Sequence, residues 1–366
     1  MSERMFIMKK ITAFLLCLIL AVGLLNGCQG KSQEIAAPKI AFITGIGTIQ
    51  DHSFNEDCYH GVEQFSQEYG AEYKHFAAAS TEEADLLSAI QQAVDEDFDV
   101  IVMAGYLFGK PCLQAAKANP DTLFLALAVT PAQTGAARLP SNLSLLTHRE
   151  EQAGFLAGYA AVAEGYRELG FLGGVPIDAV VRFGHGFIQG AEQAAHAMDA
   201  PNVHIRHWYS DSFVPNDGIE EKMDTWFSEG TEVVFACGGA IYESALTAAD
   251  TWDKKLIGVD VDQSYISPRF ITSATKSLSK SVVLALEEAY GNHMTWPSAY
   301  AGTCQSLGVN NDCVGLAMEN SHFETFSMEM YELLYDALQN ESFHVDTNTD
   351  PYYKPRTEKI TVDWQE

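Results

Sequence analysis

Residues 39–47 read Lys39-Ile40-Ala41-Phe42-Ile43-Thr44-Gly45-Ile46-Gly47, a short apolar run that ends in a glycine-rich turn. A run of this length with apolar residues on both faces indicates a strand buried inside a parallel sheet. The same pattern returns at 99–105, 232–239 and 255–260, and segments with helical spacing lie between such runs. Strands that alternate with helices of 10–15 residues predict β-α-β units, so the fold class is α/β.

The alternation runs twice along the chain and therefore predicts two doubly wound parallel-sheet lobes. The first series ends near residue 148, and the second begins with the helix predicted at 150–163. We expect an N-terminal lobe of 39–148 plus 270–301, a C-terminal lobe of 149–269 plus 302–345, and a C-terminal tail of 346–366. A chain that passes between lobes several times forms a multi-crossover hinge, and ligands bind beyond the carboxyl ends of such strands.

The first 28 residues have the pattern of a secretory signal. Met8-Lys9-Lys10 is followed by an apolar stretch over 11–25, shorter than the about 20 residues that span a bilayer. The ending Leu25-Asn26-Gly27-Cys28 resembles the bacterial lipobox, whose cysteine is acylated. We therefore expect a lipoprotein signal peptide over 1–28, a linker over 29–38, and a domain anchored at the extracytoplasmic face of the cell membrane. The alternative is an ordinary signal cut nearby, with Cys28 left as a plain thiol.

Composition narrows the class of partner. The 366 residues carry a formal net charge of −27, which disfavours nucleic acid and anionic lipid surfaces as partners. Hydrophobic residues make up 47% of the chain, too many for a disordered protein. Five cysteines outside the signal have no CxxC spacing, and we expect mostly buried thiols: Cys58, Cys112, Cys237, Cys304 and Cys313. A Cys304–Cys313 bridge stays open.

Several familiar chemical motifs are absent or incomplete. Residues 45–50, Gly-Ile-Gly-Thr-Ile-Gln, lack the third glycine of a dinucleotide-binding loop, and GxxxxGK[ST], GxSxG and HExxH do not occur. His204 and His207 are three apart on a predicted strand, so they face opposite sides. We therefore expect no cofactor and no metal site.

Polar clusters follow the predicted strands. Asp260 and Asp262 share one face, where a carboxylate could accept two sugar hydroxyls, hold a metal, or cap a helix. Residues 50–55, with Tyr59 nearby, suit a planar heterocycle, although Ser53 or Asp51 could merely cap a helix and Phe54 could be core. Lys276 could pair with Asp260 or reach a ligand hydroxyl, or lie on the surface.

Several motifs resemble those of a known family. They are Ser53-Phe54-Asn55, residues 150–158 (EEQAGFLAG), Gly173-Gly174-Val175-Pro176, Arg182-Phe183-Gly184 and residues 257–263 (IGVDVDQ). In this order they resemble the basic membrane protein family, lipoproteins similar to the purine nucleoside-binding components of ABC importers. The resemblance covers about residues 39–316.

The resemblance implies a type I periplasmic-binding-protein fold and a set of ligand contacts. Gln50, Asp51 and Asn55 would read or line the base, and Tyr59 and Phe235 would sandwich it. Gly238 or Gly239 would let the backbone approach the ligand, while Asp260 and Lys276 would hold the ribose hydroxyls. Where nucleoside binders of the family carry an acidic base reader, this chain has Lys110, which cannot accept a hydrogen bond.

The sequence therefore predicts a solute-binding lipoprotein that captures a nucleoside or related molecule and delivers it to an ABC permease and its ATPase, without performing chemistry. One alternative is a surface ligand sensor or adhesin-like lipoprotein of the same fold. Another is an enzyme that uses Asp260 and Asp262 as metal ligands. The identity of the nucleoside, the permease and the oligomeric state stay open.

Overall fold

The computed structural model describes residues 37–365, which form two sheets with helices on both faces of each. The strands are β1 Lys39–Thr44, β2 Glu72–Ala77, β3 Val100–Ala104, β4 Leu123–Leu127, β5 Leu143–His148, β6 Glu168–Gly173, β7 Val203–Tyr209, β8 Val233–Cys237, β9 Lys255–Asp260, β10 Phe270–Lys276, β11 Cys304–Leu307, β12 Val314–Leu316 and β13 Ile360–Trp364. The helices are α1 Phe54–Tyr69, α2 Glu83–Asp95, α3 Gly109–Ala118, α4 Pro131–Thr134, α5 Glu150–Glu164, α6 Asp178–Ala197, α7 Asp217–Ser228, α8 Tyr242–Trp252, α9 Leu278–Gly291 and α10 Met328–Gln339. Short 3-10 turns occupy Tyr106–Phe108, Gly239–Ile241 and Val309–Asn311.

Both sheets are doubly wound. The six-stranded sheet has the order β11-β5-β4-β3-β1-β2, and the seven-stranded sheet has the order β12-β10-β9-β8-β6-β7-β13. The strand order reverses between β1 and β3 in one sheet and between β6 and β8 in the other. A crevice opens at such a reversal beyond the carboxyl ends of the strands. The predicted α/β class with two doubly wound lobes is confirmed.

Small residues bring α5 and α6 together behind the second sheet. A Cβ added at Gly158 would overlap the carbonyl oxygen of Phe187, and one added at Gly190 would overlap that of Phe155. The backbones of the two helices therefore touch, which a larger side chain at either glycine would prevent. This tight pair holds the beginning of α6, which carries Arg182 and Phe183, in a fixed position.

The chain passes between the two lobes three times. It leaves the first sheet after β5 and enters the second lobe through α5. It returns after β10 through α9, which packs against α1, and crosses again between β11 and β12. The predicted multi-crossover hinge is confirmed.

The lobe boundaries predicted after residue 269 are wrong at two strands. Phe270–Lys276 was expected in the N-terminal lobe, but it pairs in parallel with β9 of the second sheet. Cys304–Leu307 was expected in the C-terminal lobe, but it pairs in parallel with β5 of the first sheet. Buried strands of both sheets have the same apolar pattern, so periodicity does not reveal which sheet a strand joins.

The predicted C-terminal tail also contains ordered structure. Ile360–Trp364 pairs in parallel with β7 and forms one edge of the second sheet. This correction extends the second lobe nearly to the end of the chain.

Some expectations concern the chain termini and the thiols. The signal peptide, Cys28 and most of the linker lie outside the described residues. Within 37–365, no helix is long and apolar enough to cross a membrane.

The five cysteines of this part of the chain are free thiols, so Cys304 and Cys313 are not bridged.

Candidate functional site: a cavity between the two sheet edges

A cavity of about 300 Å³ lies where the carboxyl ends of the two sheets face each other. Its size is at the low end of the range for small-molecule sites, about 300–1,000 Å³. The first lobe contributes residues after β1, β3 and β4, and the second lobe contributes residues after β6, β7, β8 and β9. The side chains that line it include Gln50, Asp51, Phe54, Asn55, Tyr106, Phe183, Phe213, Cys237, Glu243, Asp260 and Lys276.

The loop after β1 is held in place by its own polar groups. Asp51 accepts hydrogen bonds from the backbone N–H groups of Ser53, Asn55 and Glu56, so it caps the beginning of α1. Burial raises the pKa of Asp51, and these three N–H donors oppose the effect. Asn55 donates from Nδ2 to the carbonyl of Ile46 at 3.0 Å. The residues that reach the cavity from this loop are therefore fixed before a ligand arrives.

Glycines after β8 make room for an aromatic ring. Gly238 has a φ of 144°, and a Cβ there would lie 2.9 Å from the ring of Phe213. Phe213, in the loop after β7, thereby lies against the end of β8 and lines the cavity. Its ring meets that of Tyr106 from the other lobe edge-on, with centroids 6.4 Å apart.

A buried cluster of charges reaches the cavity through Asp260 and Lys276. The Lys276 Nζ atom lies 3.1 Å from Asp260 Oδ1 and 3.8 Å from Glu150 Oε1. Arg182 donates to Glu150 Oε2 at 3.2 Å. Burial alone would lower the pKa of Lys276, but the carboxylates of Asp260 and Glu150 outweigh it and raise that pKa. Lys276 is therefore a charged ammonium, and its Nζ also lies 5.2 Å from the ring centroid of Phe54.

The two carboxylate oxygens of Asp260 differ. Oδ2 accepts a hydrogen bond from Ser53 Oγ at 2.9 Å, across the cleft. Oδ1 is buried and within ion-pair distance of Lys276, but it accepts no hydrogen bond of good geometry. This oxygen therefore has spare capacity to accept a hydrogen bond from a donor in the cavity.

The structure brings together most of the residues predicted for the site. Gln50, Asp51, Asn55, Gly238, Gly239, Asp260 and Lys276 all line the cavity. For Asp51 the capping interpretation, left open from the sequence, also holds, because both of its oxygens accept backbone hydrogen bonds.

The predicted ring sandwich by Tyr59 and Phe235 is wrong. Five residues along an α-helix rotate a side chain by about 140°, so Tyr59 points away from the cavity edge that Phe54 lines. Its ring packs 5.5 Å from that of Phe42 on the face of the first sheet. Phe235 lies inside β8, two residues before the strand ends, and is fully buried. Its ring packs against the ring of Phe183, with the two centroids 5.7 Å apart.

Lys110 also lies elsewhere. It is exposed in the first turn of α3 and does not line the cavity. Its ammonium group therefore does not take the place of a base-reading side chain in this cavity, contrary to the prediction.

Sequence reasoning missed several residues of the cavity. Tyr106, Phe183, Phe213 and Glu243 were not proposed as ligand contacts, and Phe54 was considered core. One signal was available for Tyr106, since it directly follows Gly105 at the end of a buried strand. Phe213 lies four residues beyond the end of β7 rather than directly after it, and its approach to the cavity depends on the fold.

The two side chains considered for metal binding serve separate purposes. Asp260 faces Lys276, whereas Asp262 accepts hydrogen bonds from Ser264 N at 3.0 Å and Asn320 Nδ2 at 2.9 Å. Among residues 37–365, no group of three or more His, Cys, Asp or Glu side chains is placed to hold a metal ion.

The chain is similar to known proteins along most of its length. The family model described as "ABC transporter substrate-binding protein PnrA-like" matches residues 37–346. Basic membrane protein A of Borreliella burgdorferi is 28% identical over 346 residues, which cover 93% of this chain and 97% of that protein. An uncharacterized lipoprotein of Pyrococcus furiosus is 26% identical and covers 81% of this chain and 74% of its own length.

Solved structures show the same architecture. An ABC transporter solute-binding protein from Conexibacter woesei superposes with a TM-score of 0.69 at 21% identity, covering 85% of this chain and 99% of that one. At this identity the likeness shows the fold alone, and it confirms the predicted periplasmic-binding-protein fold. The family match extends over most of the chain and includes every residue that lines the cavity. This chain belongs to the family of PnrA-like ABC transporter substrate-binding proteins.

Proposed function

We propose that this protein captures an uncharged nucleoside in the cavity between its lobes and delivers it to an ABC permease. The observation that carries the proposal is the buried Asp260–Lys276 pair beside aromatic rings in one small cavity. A nucleoside combines vicinal hydroxyls with a flat base, and this cavity offers partners for both.

The buried charges at the cavity and directly behind it favour a neutral ligand. Lys276 and Arg182 are balanced by Asp260 and Glu150, and Lys276, Asp260 and Glu150 are nearly inaccessible to solvent. A phosphate group would add uncompensated negative charge to this balanced cluster, where charge is costly. The net charge of −27 would further repel a phosphorylated ligand on approach.

The Asp260–Lys276 pair suits a pair of hydroxyls. Asp260 Oδ1 accepts no well-formed hydrogen bond from the protein and could accept one from a hydroxyl. Lys276 Nζ could donate to the neighbouring hydroxyl oxygen. Hydrogen bonds to charged groups contribute about 1.5–3 kcal/mol each, enough to make this contact a main source of affinity.

The rings of the cavity suit a base. Phe54 comes from the first lobe, and Phe183 and Phe213 come from the second. Stacking on such rings contributes about 1–3 kcal/mol per base and depends little on which base is bound. Gln50 and Glu243 lie on opposite lobes and could contact the polar edge of the base. The proposal therefore concerns nucleosides as a class.

No covalent step is part of this proposal, and it uses the Asp260–Lys276 pair of the cavity only to bind hydroxyls. Release of free base from a bound nucleoside would contradict it.

For localisation we propose a lipid anchor at Cys28, supported by the lipobox-like ending and by the name of the Pyrococcus furiosus relative. Labelling with radioactive palmitate that persists in a Cys28→Ala variant would refute the anchor.

Titration calorimetry with a panel of nucleosides tests the proposal. The full chain is purified in detergent and freed of bound ligand by dialysis against urea. We expect at least one nucleoside to bind, and Asp260→Ala to weaken it by at least tenfold. Asp262→Ala is the matched control, because this carboxylate is two residues away and outside the cavity. Absence of heat with every nucleoside would refute the ligand class.

A further inference from the structure

Beyond the ligand contacts, two direct hydrogen bonds join the lobes at the rim of the cavity. Ser53 Oγ of the first lobe donates to Asp260 Oδ2 of the second at 2.9 Å. Gln263 Nε2 of the second lobe donates to the backbone carbonyl of His52 at 3.0 Å. The second lobe is thus hydrogen-bonded to two adjacent residues, His52 and Ser53, of the loop that leads into α1.

Gln263 is built into the second lobe so that its amide points across the cleft. Its side chain is fully buried, and its Oε1 accepts a hydrogen bond from Val259 N at 3.1 Å. Its backbone N–H donates to Ser273 Oγ at 3.0 Å. A Cβ at Gly258 would overlap both the Gln263 side chain and Ser273 Oγ, so this arrangement requires glycine there. The amide is therefore positioned within its own lobe before the lobes meet.

The partner on the first lobe is also shaped for this contact. His52 has a φ of 49°, a left-handed conformation that few residues other than glycine adopt. Asp51 fixes the loop by accepting the Ser53 N–H, while Glu56 accepts the His52 N–H at 2.9 Å. The His52 carbonyl and the Ser53 hydroxyl are therefore held in position without a ligand.

We propose that Gln263 and Ser53 form a ligand-independent latch that keeps the cleft closed in a large fraction of unliganded molecules. Both bonds join protein to protein, so they form whether or not the cavity is filled. One hydrogen bond shifts an equilibrium by about twofold to tenfold, and two together by up to about a hundredfold. Gln263 is thus a positioning residue, and the latch holds for any ligand class.

Hydrogen exchange measured by mass spectrometry on the full chain in detergent, freed of ligand, tests the latch. The informative amides lie in the turns at Tyr106–Phe108 and Gly239–Ile241, which contribute Tyr106, Gly239 and Ala240 to the cavity lining. The side chain and backbone N–H of Gln263 form their hydrogen bonds with other residues, Val259, Ser273 and His52. Opening of the cleft exposes the amides of the two turns, whereas a local fault around Gln263 does not. We expect Gln263→Met, which keeps the length of the side chain, to speed their exchange about fivefold.

Two further variants separate the latch from local damage. Ser53→Ala breaks the other bond and should speed exchange of the same two turns. Ser273→Ala removes only the acceptor for the Gln263 backbone, so its effect should be confined to residues 259–273. If neither Gln263→Met nor Ser53→Ala changes exchange at the two turns, the latch is refuted. Because no ligand is added, this result does not depend on the outcome of the nucleoside titrations.

Discussion

Replacing Lys276 with methionine would test whether the buried charges hold the protein together as a balanced cluster. Lys276 Nζ lies 3.1 Å from Asp260 and 3.8 Å from Glu150, and all three side chains are at most 5% exposed. With an effective dielectric constant of about 20, these distances correspond to attractions of about 5 and about 4 kcal/mol. Much of this is offset by the cost of burying the ions, and removing one partner of such a pair typically costs about 3–5 kcal/mol.

We therefore expect Lys276→Met to lower the free energy of unfolding by about 3–5 kcal/mol, as measured by urea denaturation at pH 7. The double variant Lys276→Met/Asp260→Asn should be more stable than Lys276→Met alone, because Glu150 and Arg182 then remain as a balanced pair. Lys280→Met is the control, since this lysine is 43% exposed and its ion pair with Asp312 is 3.9 Å long. Surface pairs contribute about 0–1 kcal/mol. A loss under 1 kcal/mol in Lys276→Met, or no recovery in the double variant, would show that the cluster is not balanced as described.

Three other predictions concern the rings, acid and thiols. Phe213→Ala should weaken nucleoside binding about tenfold to a hundredfold in calorimetry. Phe235→Ala should instead lower the free energy of unfolding by about 3–5 kcal/mol. A loss of stability in the first variant and a loss of binding alone in the second would contradict the assignment of the two rings. Burial lowers the pKa of His207 to about 3, so below about pH 6.5 this imidazole binds a proton in the unfolded chain but not in the folded protein. His207 should therefore lower the free energy of unfolding by up to about 1.4 kcal/mol for each unit by which the pH falls, and burial lowers the pKa of His148 and His185 with the same sign. Urea denaturation between pH 7.5 and 5.5 checks this, because the free energy of unfolding of His207→Phe should change less with pH than that of the unaltered protein. The raised pKa of Asp51 has the opposite effect on stability, but at a pH nearer the ordinary range of carboxyl groups. Dithiothreitol should leave the melting temperature unchanged, because Cys304 and Cys313 are free thiols, and a drop would indicate a bridge.

Local elements followed closely from the sequence. β1 occupies residues 39–44 of the run from which it was predicted, and the helix predicted at 150–163 is α5, Glu150–Glu164, since such runs have a clear period. The beginning of α1 at Phe54 depends on Asp51, which caps the helix from the polar loop before it. Sheet membership did not follow, since Phe270–Lys276 and Cys304–Leu307 look alike as sequences and differ only in their tertiary pairing.

The polar half of the site could be predicted and the aromatic half could not. Gln50 follows β1, Asn55 lies in the first turn of α1, and Asp260 and Lys276 end β9 and β10. The carboxyl ends of parallel strands converge at one sheet edge. The direction of a ring depends on its position within the element, which is why Phe54 reaches the cavity and Tyr59 does not. Phe213 reaches it because Gly238 leaves space beside the strand end, a relation between two loops that are distant in sequence.

The site and the hinge share residues, and this follows from the path of the chain. Lys276 is the last residue of β10, directly before the second crossover, and Glu150 begins α5, directly after the first. Their contact at 3.8 Å therefore ties two crossovers together, and the same ammonium group pairs with Asp260 in the cavity. At the third crossover, Gln152 Oε1 of α5 accepts a hydrogen bond from Val309 N at 3.0 Å. We therefore expect a ligand that draws Lys276 or Asp260 toward itself to act directly on the crossover segments. Binding could then change the balance between open and closed lobes without a separate transmitting element.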